Sequence, residues 1–396
     1  MQIIDKRKAL MIPPLLRLGF RPFFLLGSGL ALLAIPLWIL GLFGHLGSLQ
    51  PSGGWLAWHR HELVFGFAGA IIAGFLLTAG QTWTGQAAPS GRPLLLLVLV
   101  WLAARLAWLP LVPGALLVLL NVGFFVLVAL TLGRMLWAVR QTRNYPIVVV
   151  LLLLALADAV NLLGVWQAND AWQRQGALGA VWLVAALMGL IGGRVIPFFT
   201  QRGLGRVQQV AAWPKLDWAL LLGSLLVAVL HVSGVALQAS WLVAVVFLAL
   251  GAGHAIRLVR WFDPGLLRVP LLWSLHLAYA WLVLACLGMA LWHAGLLGNA
   301  SPPLHALTVG SMAGLILAML ARVSLGHTGR PLVLPRGMAA GFILLNVAAL
   351  VRVLLVEVWP ALSLWLAMLC WAAALLIYLG LYAPMLCRPR VDGHPG

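Results

Sequence analysis

Charge is what this 396-residue sequence has least of: 8% of its residues are Asp, Glu, Lys or Arg, and only eight are acids. A soluble domain carries roughly a quarter charged residues. A chain that is 63% hydrophobic, with mean hydropathy +1.05, can cover its surface only with lipid. The shortage of acids also removes whole classes of chemistry. No pair of carboxylates is placed for hydrolysis, and no Gly-rich phosphate loop with its Lys stands out for phosphoryl transfer. Cysteine is scarce as well. Cys286, Cys370 and Cys387 are scattered without a CxxC pair, which excludes a disulfide framework and a cysteine metal site. A cleavable leader is also missing. Basic residues run through Arg17 and Arg21 of "MQIIDKRKALMIPPLLRLGFRPFF", no small-residue cleavage site follows, and the first helix is expected to remain as an anchor.

What the sequence has instead is a succession of apolar segments near the ~20 residues that cross a bilayer. Twelve are expected: 23–43, 57–80, 93–109, 114–138, 147–167, 176–199, 215–235, 239–260, 269–293, 302–322, 336–356 and 361–385. Prolines punctuate the junctions, and no soluble domain fits between them. The expected fold is all-α and polytopic, with an N-terminal segment over 1–22, one transmembrane domain over 23–385 and a tail over 386–396. If the N-terminus is cytoplasmic, 21 of the 25 Lys and Arg fall on the inner side, and only Arg60, Arg105, Arg174 and Arg352 fall outside. The positive-inside rule therefore supports the count and puts both termini in the cytoplasm. It also explains the net charge of +17 without a nucleic-acid partner. The 20 Trp supply rings for the membrane interfaces.

Ten histidines are many for so apolar a chain. The topology places His59 and His61 at the outer mouth of the second span and His305 one turn into the tenth. His276 lies in the inner half of the ninth span, and His327 at the inner end of the tenth. The 22 residues from His305 to His327 span ~33 Å at the helical rise, so the two cannot share one small metal ion. His61 and His305 can share a depth and face each other, an arrangement that suits six-coordinate haem iron. Neutral imidazole also suits copper or zinc. His59 and His61 point about 200° apart on a helix, so they serve different neighbours. His276 and His327 are candidates for a second, inner metal or haem site. Glu62 is a candidate acceptor that orients a ligating imidazole. Asp158 and Asn161 either hold a proton or ion or tie helices together. Gly310 and Gly314 form a GxxxG packing face. His276 and Tyr279 share a face at i, i+3. Arg194 is placed to clamp a propionate or phosphate, or to reach the headgroups. His45, His231, His254 and His293 read as structural.

The stretches "WHRHELVFGFAGAIIAGFLLTA", "GRVIPFFT", "LHLAYAWL" and "HALTVGSMAGLILAMLARVSLGHTGRP", with the N-terminal "LGFRPFFLLG", resemble the NnrS family of bacterial inner-membrane proteins. They run in consistent order from Arg17 to about Pro335. The resemblance implies a twelve-span inner-membrane protein that binds haem, of b type, and copper. It also implies a part in denitrification and relief of nitric oxide stress. A more distant likeness to the main subunit of haem–copper oxidases implies haem held between histidines of spans two and ten. Residues matching the motifs are His59, His61, Glu62, Arg194, His276, Tyr279, His305, Arg322, His327 and Arg330. His61, His305, Arg194, Arg330 and Tyr279 are thus expected at the cofactor. His59, His61, His276, His305 and His327 are the candidate metal ligands. The adjacent His-His pair of an oxidase copper site is absent.

The leading expectation is a haem protein, with copper as a further metal, whose partner is nitric oxide or an iron-nitrosyl species. One rival is a membrane oxidoreductase that reduces nitric oxide or oxygen with quinol. The other is a haem-free transporter of a metal or metabolite, which inverted repeats would favour.

Overall fold

A computed structural model describes residues 6–395. The first five residues of the expected N-terminal segment and the last of the tail lie outside them, as do the side chains of Lys6 and Arg7. Among the described residues there is no strand. The helices in chain order are α1 (Lys6–Met11), α2 (Phe20–Leu42), α3 (Gly54–His61), α4 (Gly69–Thr84), α5 (Arg92–Leu106), α6 (Gly114–Ala138), α7 (Tyr145–Trp166) and α8 (Asp170–Gly203). They continue as α9 (Pro214–Val232), α10 (Trp241–Trp261), α11 (Pro270–His293), α12 (Ser301–His305), α13 (Gly314–His327), α14 (Met338–Leu354) and α15 (Pro360–Cys387). Proline fixes the first turn of α5, α7, α9, α11 and α12, where its missing N–H has no helical partner to lose. Gly85 ends α4 in a left-handed conformation, φ +69°, that carries no Cβ penalty.

Among the described residues, ten helices are long and apolar enough to cross a membrane, so the chain is a multi-pass helical membrane protein. Two of the twelve expected segments form shorter helices: α5 has 15 residues and α14 has 17. The segment expected to reach 109 leaves the helix at Leu106, in the turns that lead to Pro110 and Pro113.

Two segments depart from regular α-helix. Glu62–Ala68, between α3 and α4, and Ala306–Ala313, between α12 and α13, are π-helical. Each wide turn follows directly on a histidine singled out above, His61 or His305. Regular α-helical spacing therefore stops at His61 and resumes at Gly69. A π turn inserts a residue and rotates everything after it, and such turns are frequent at functional sites.

The chain divides into two compact units. Unit 1 takes Met1–Ala180, Leu320–Val333 and Leu375–Gly396; unit 2 takes Val181–Met319 and Leu334–Ala374. In unit 1, α2 packs on α3, on the following π turn and on α4, while α4 and α5 pack on α6, and α6 on α7. Gly74 lets α4 approach α2, since a Cβ there would lie 2.8 Å from that of Phe23. In unit 2, α10 packs on α9 and α11, and α11 and α14 pack on the π turn that follows α12. The expected GxxxG face does the packing: the Trp281 ring lies over Gly310, and Ala278 lies against Gly314. Between apolar helices in lipid, such close packing replaces the hydrophobic effect as the source of adhesion.

Candidate functional site

In unit 1, α3 ends by delivering His61 into a fully buried position, and the π turn begins with Glu62 at 1% exposure. His61 bridges two acids. Nδ1 is 2.9 Å from Glu62 Oε1, and Nε2 is 2.8 Å from Asp158 Oδ1, on α7. Arg105, from the short helix α5, brings Nε to 2.8 Å from Glu62 Oε2, and its Nη2 donates to Asn121 of α6. Trp101, one turn earlier on α5, donates its indole N–H to Gly66 O within the π turn, at 3.1 Å. The Phe65 and Trp108 rings each lie 4.9 Å from the His61 ring. An apolar cluster that includes Ala34, Ala57, Trp58, Leu162 and Val165 surrounds Trp108.

The hydrogen bonds fix a proton count. A contact between an imidazole nitrogen and a carboxylate oxygen needs one hydrogen, and there are two contacts. Either His61 is imidazolium between two carboxylates, or it is neutral beside one carboxylic acid. Both arrangements hold one proton beyond neutral imidazole and two carboxylates. With Arg105 the four side chains then sum to zero charge, the condition a buried ionic cluster needs.

The histidines of unit 2 are held differently. His305 Nδ1 is 2.8 Å from Ser301 O, one turn back on α12. A carbonyl oxygen can only accept, so Nδ1 carries the hydrogen and Nε2 carries the lone pair. His276 Nδ1 meets Leu272 O at 3.0 Å, and His231 Nδ1 meets Val227 O at 2.8 Å, with the same consequence. A nitrogen lone pair backed by a carbonyl at the other ring position is how a metal-binding imidazole is normally oriented. Arg352, from α14, donates from Nη2 to Ser301 Oγ at 3.0 Å, which puts a guanidinium beside the His305 turn.

Tyr279 belongs to a second polar chain in unit 2, and its partner is His254 rather than His276. Its hydroxyl is 2.7 Å from His254 Nδ1 and 3.2 Å from Arg257 Nη1. Arginine only donates, so the hydroxyl oxygen accepts from Arg257 and shares a further hydrogen bond with His254. Arg257 also donates to Gly189 O at 2.9 Å and forks onto Asp217 of α9. Gly193 makes room for this guanidinium, because a Cβ there would stand 3.0 Å from Nη2.

The other expected residues are separate. His59 stacks on Trp38 in unit 1 with centroids 4.7 Å apart, away from the surroundings of His61. Arg194 is half-buried on α8 next to Gly193. His327 lies against Phe20 in unit 1, 5.5 Å between rings, and Arg330 follows it at the same end. His61 and His327 belong to unit 1, and His305 and His276 to unit 2, so each stands among its own unit's neighbours. Asn161 ties helices: its Nδ2 donates to Gln173 O at 2.7 Å.

Sequence reasoning passed over Arg105, Arg352, Arg257, Asp217 and His254 as site residues. For Arg105 and Arg352 the signal was present, since both break the positive-inside pattern. A third exception, Arg60, pairs with Asp170 at 2.6 Å. For the others no local signal exists, because the partners stand on different helices.

These residues fit haem better than copper. Haem needs one or two imidazole nitrogens with anchored rings, and His305, His276 and His231 meet that requirement. His61 has an orienting acid on Nδ1, but Asp158 faces its other nitrogen. Among the described residues, no three His, Cys, Asp or Glu side chains gather to hold a metal ion, so no copper chemistry is derived.

The sequence model of a family described as NnrS protein matches residues 14–390. No curated protein matches the chain.

Proposed function

The chain belongs to the NnrS family, and from that premise we propose that it is a haem-binding protein of the bacterial inner membrane that handles nitric oxide or its iron-nitrosyl products during nitrosative stress or denitrification. We infer twelve spans, with the short helices α5 and α14 completing the count, and both termini in the cytoplasm. His305 and His61 are the axial-ligand candidates. Arg352, whose guanidinium stands beside the His305 turn, is the candidate for the propionates.

The observation that carries this reading is the anchored ring of His305 at the head of a π-helical turn. Ser301 O holds the Nδ1 hydrogen and so sets the lone pair on Nε2, and the turn fixes where the ring stands. A haem held there would supply nitric oxide binding and one-electron chemistry. The protein supplies ligand orientation, exclusion of water and a held proton. His61 differs from His305 in one respect. For its Nε2 to act as a ligand it must leave Asp158, and the shared proton must then reside on a carboxyl or depart. Ligation by His61 is therefore tied to the buried carboxyls of Glu62 and Asp158, whereas the His305 ring is oriented by a backbone carbonyl that does not titrate.

The test is the visible spectrum of protein purified in detergent after expression with ample haem. A Soret band that shifts when nitric oxide is added without oxygen is expected. A colourless protein refutes the haem reading, and a band indifferent to nitric oxide refutes the ligand. A second reading, reduction of nitric oxide or oxygen with quinol, is favoured by the proton held on the His61 array, since such a reaction consumes protons. Turnover with reduced quinol that falls in Glu62→Gln would support it; no turnover in the wild-type protein would dismiss it.

A further inference from the structure

At the end of unit 1 where α2 begins and α13 and α15 finish, four arginines stand together. Arg21 is fully buried. Its Nη1 donates to Leu386 O at 2.8 Å and Arg388 O at 2.7 Å, while Nε and Nη2 are buried without a partner. Arg17, 8% exposed, donates to Ile12 O and Leu10 O at 2.9 Å each, and its Nη1 is likewise buried without a partner. Arg330 has an unpartnered buried Nη1. Arg390 donates to His327 O and forks onto Asp392 at 2.9 and 2.5 Å. Arg17, Arg330 and Arg390 are each near enough to Arg21 to act on it electrostatically. Asp392 is the acid paired here among the described residues, and Arg390 takes both its oxygens.

This is a poor arrangement for an isolated protein. A buried guanidinium without a counter-charge is costly, and neighbouring like charges add to the cost. An oxyanion relieves both, because guanidinium presents donors in the geometry of phosphate oxygens. We propose that this cluster is a binding site for the phosphate group of an anionic membrane lipid, held by Arg21, Arg17 and Arg330. Two further features favour a lipid over free phosphate. The site lies where the apolar helices α2, α13 and α15 begin or end, and basic pockets at the ends of spans are where anionic lipids bind. Beside Arg17, the segment whose carbonyls it binds exposes Leu10 and Met11, at 41% and 85%, and these offer apolar surface to acyl chains.

The experiment uses the full chain in neutral detergent and follows its thermal midpoint during separate titrations with phosphatidylglycerol, a galactolipid of the same chains, and inorganic phosphate. A ligand of the folded state raises the midpoint with concentration. Phosphatidylglycerol is expected to raise it and the galactolipid is not. The apparent affinity should fall about tenfold in Arg17→Gln and again in Arg330→Gln, as for loss of one charge-assisted hydrogen bond. Arg330 is only half-buried, so its variant should fold even if Arg21→Gln does not, and native mass spectrometry should show less retained phosphatidylglycerol in each variant that folds. Equal response to the two lipids, or unchanged affinity in both variants, overturns the proposal. Inorganic phosphate as effective as the lipid overturns the lipid as its source.

Discussion

His61 in unit 1 and His305 in unit 2 stand at the head of the same backbone device, a π-helical turn inside a membrane helix, yet their rings meet opposite chemistry. Both nitrogens of His61 face carboxylates, so the ring is part of a proton-holding ionic array. His305 gives one nitrogen to a backbone carbonyl, which leaves a defined lone pair on the other. The π turn determines where the imidazole stands, and the neighbouring helices determine what it can do. In a chain with eight acids, two at one histidine are a concentrated commitment.

The comparison breaks most severely if the array loses an acid. Asp158→Ala should destabilise the protein by about 3–5 kcal/mol, because it breaks a fully buried ionic array and leaves His61 Nε2 without its partner. Thermal unfolding in detergent measures this; a midpoint equal to that of the wild type would mean the cluster is not ionic. Next come the turns themselves. A Cβ at Gly310 would lie 2.4 Å from the Trp281 ring, whose base cannot move aside without shifting α11. Gly310→Ala should therefore cost about 1–3 kcal/mol, and a neutral result would show that Trp281 repacks freely. Tyr279→Phe leaves Arg257 and His254 each one partner short and should cost about 1–2 kcal/mol. A loss as large as that of Asp158→Ala would show that the polar chain of unit 2 matters as much as the His61 array.

The smallest effect concerns an exposed pair outside the spans. The hydrogen bond from Arg206, with help from Gly265 N–H, holds the Asp263 carboxyl below its ordinary pKa of 3.8. A carboxylate depressed in the folded state stabilises at any pH above its unfolded value and loses that contribution as pH falls through the lower, folded one. The wild-type midpoint should thus fall slightly more than that of Asp263→Asn below about pH 4. Parallel pH profiles would show that the pair contributes nothing.

Most of the fold was legible because hydropathy and proline punctuation set where helices begin and end. The twelve expected segments all appear as helices, ten of them of spanning length. The π turns were not legible, since a wide turn leaves the apolar pattern of "ELVFGFA" unchanged. Within the site, the row "WHRHE" marked His61 and Glu62, and Asp158 stood out as a buried acid. Their pairing did not, because 97 residues separate His61 from Asp158 and only the packing of α3 on α7 joins them. Tyr279 shows the opposite failure. Its i, i+3 spacing pointed to His276, but that imidazole satisfies its own helix and leaves the hydroxyl to His254 on α10.

The most direct test compares the visible spectra of haem-supplied wild type, His305→Ala and His61→Ala across pH. The account predicts a Soret band in the wild type that is lost or shifted at every pH in His305→Ala. The pH dependence of the wild-type spectrum should shrink in His61→Ala, because that variant removes the ring whose ligation is tied to the Glu62 and Asp158 carboxyls. A spectrum unchanged by His305→Ala would contradict the account outright.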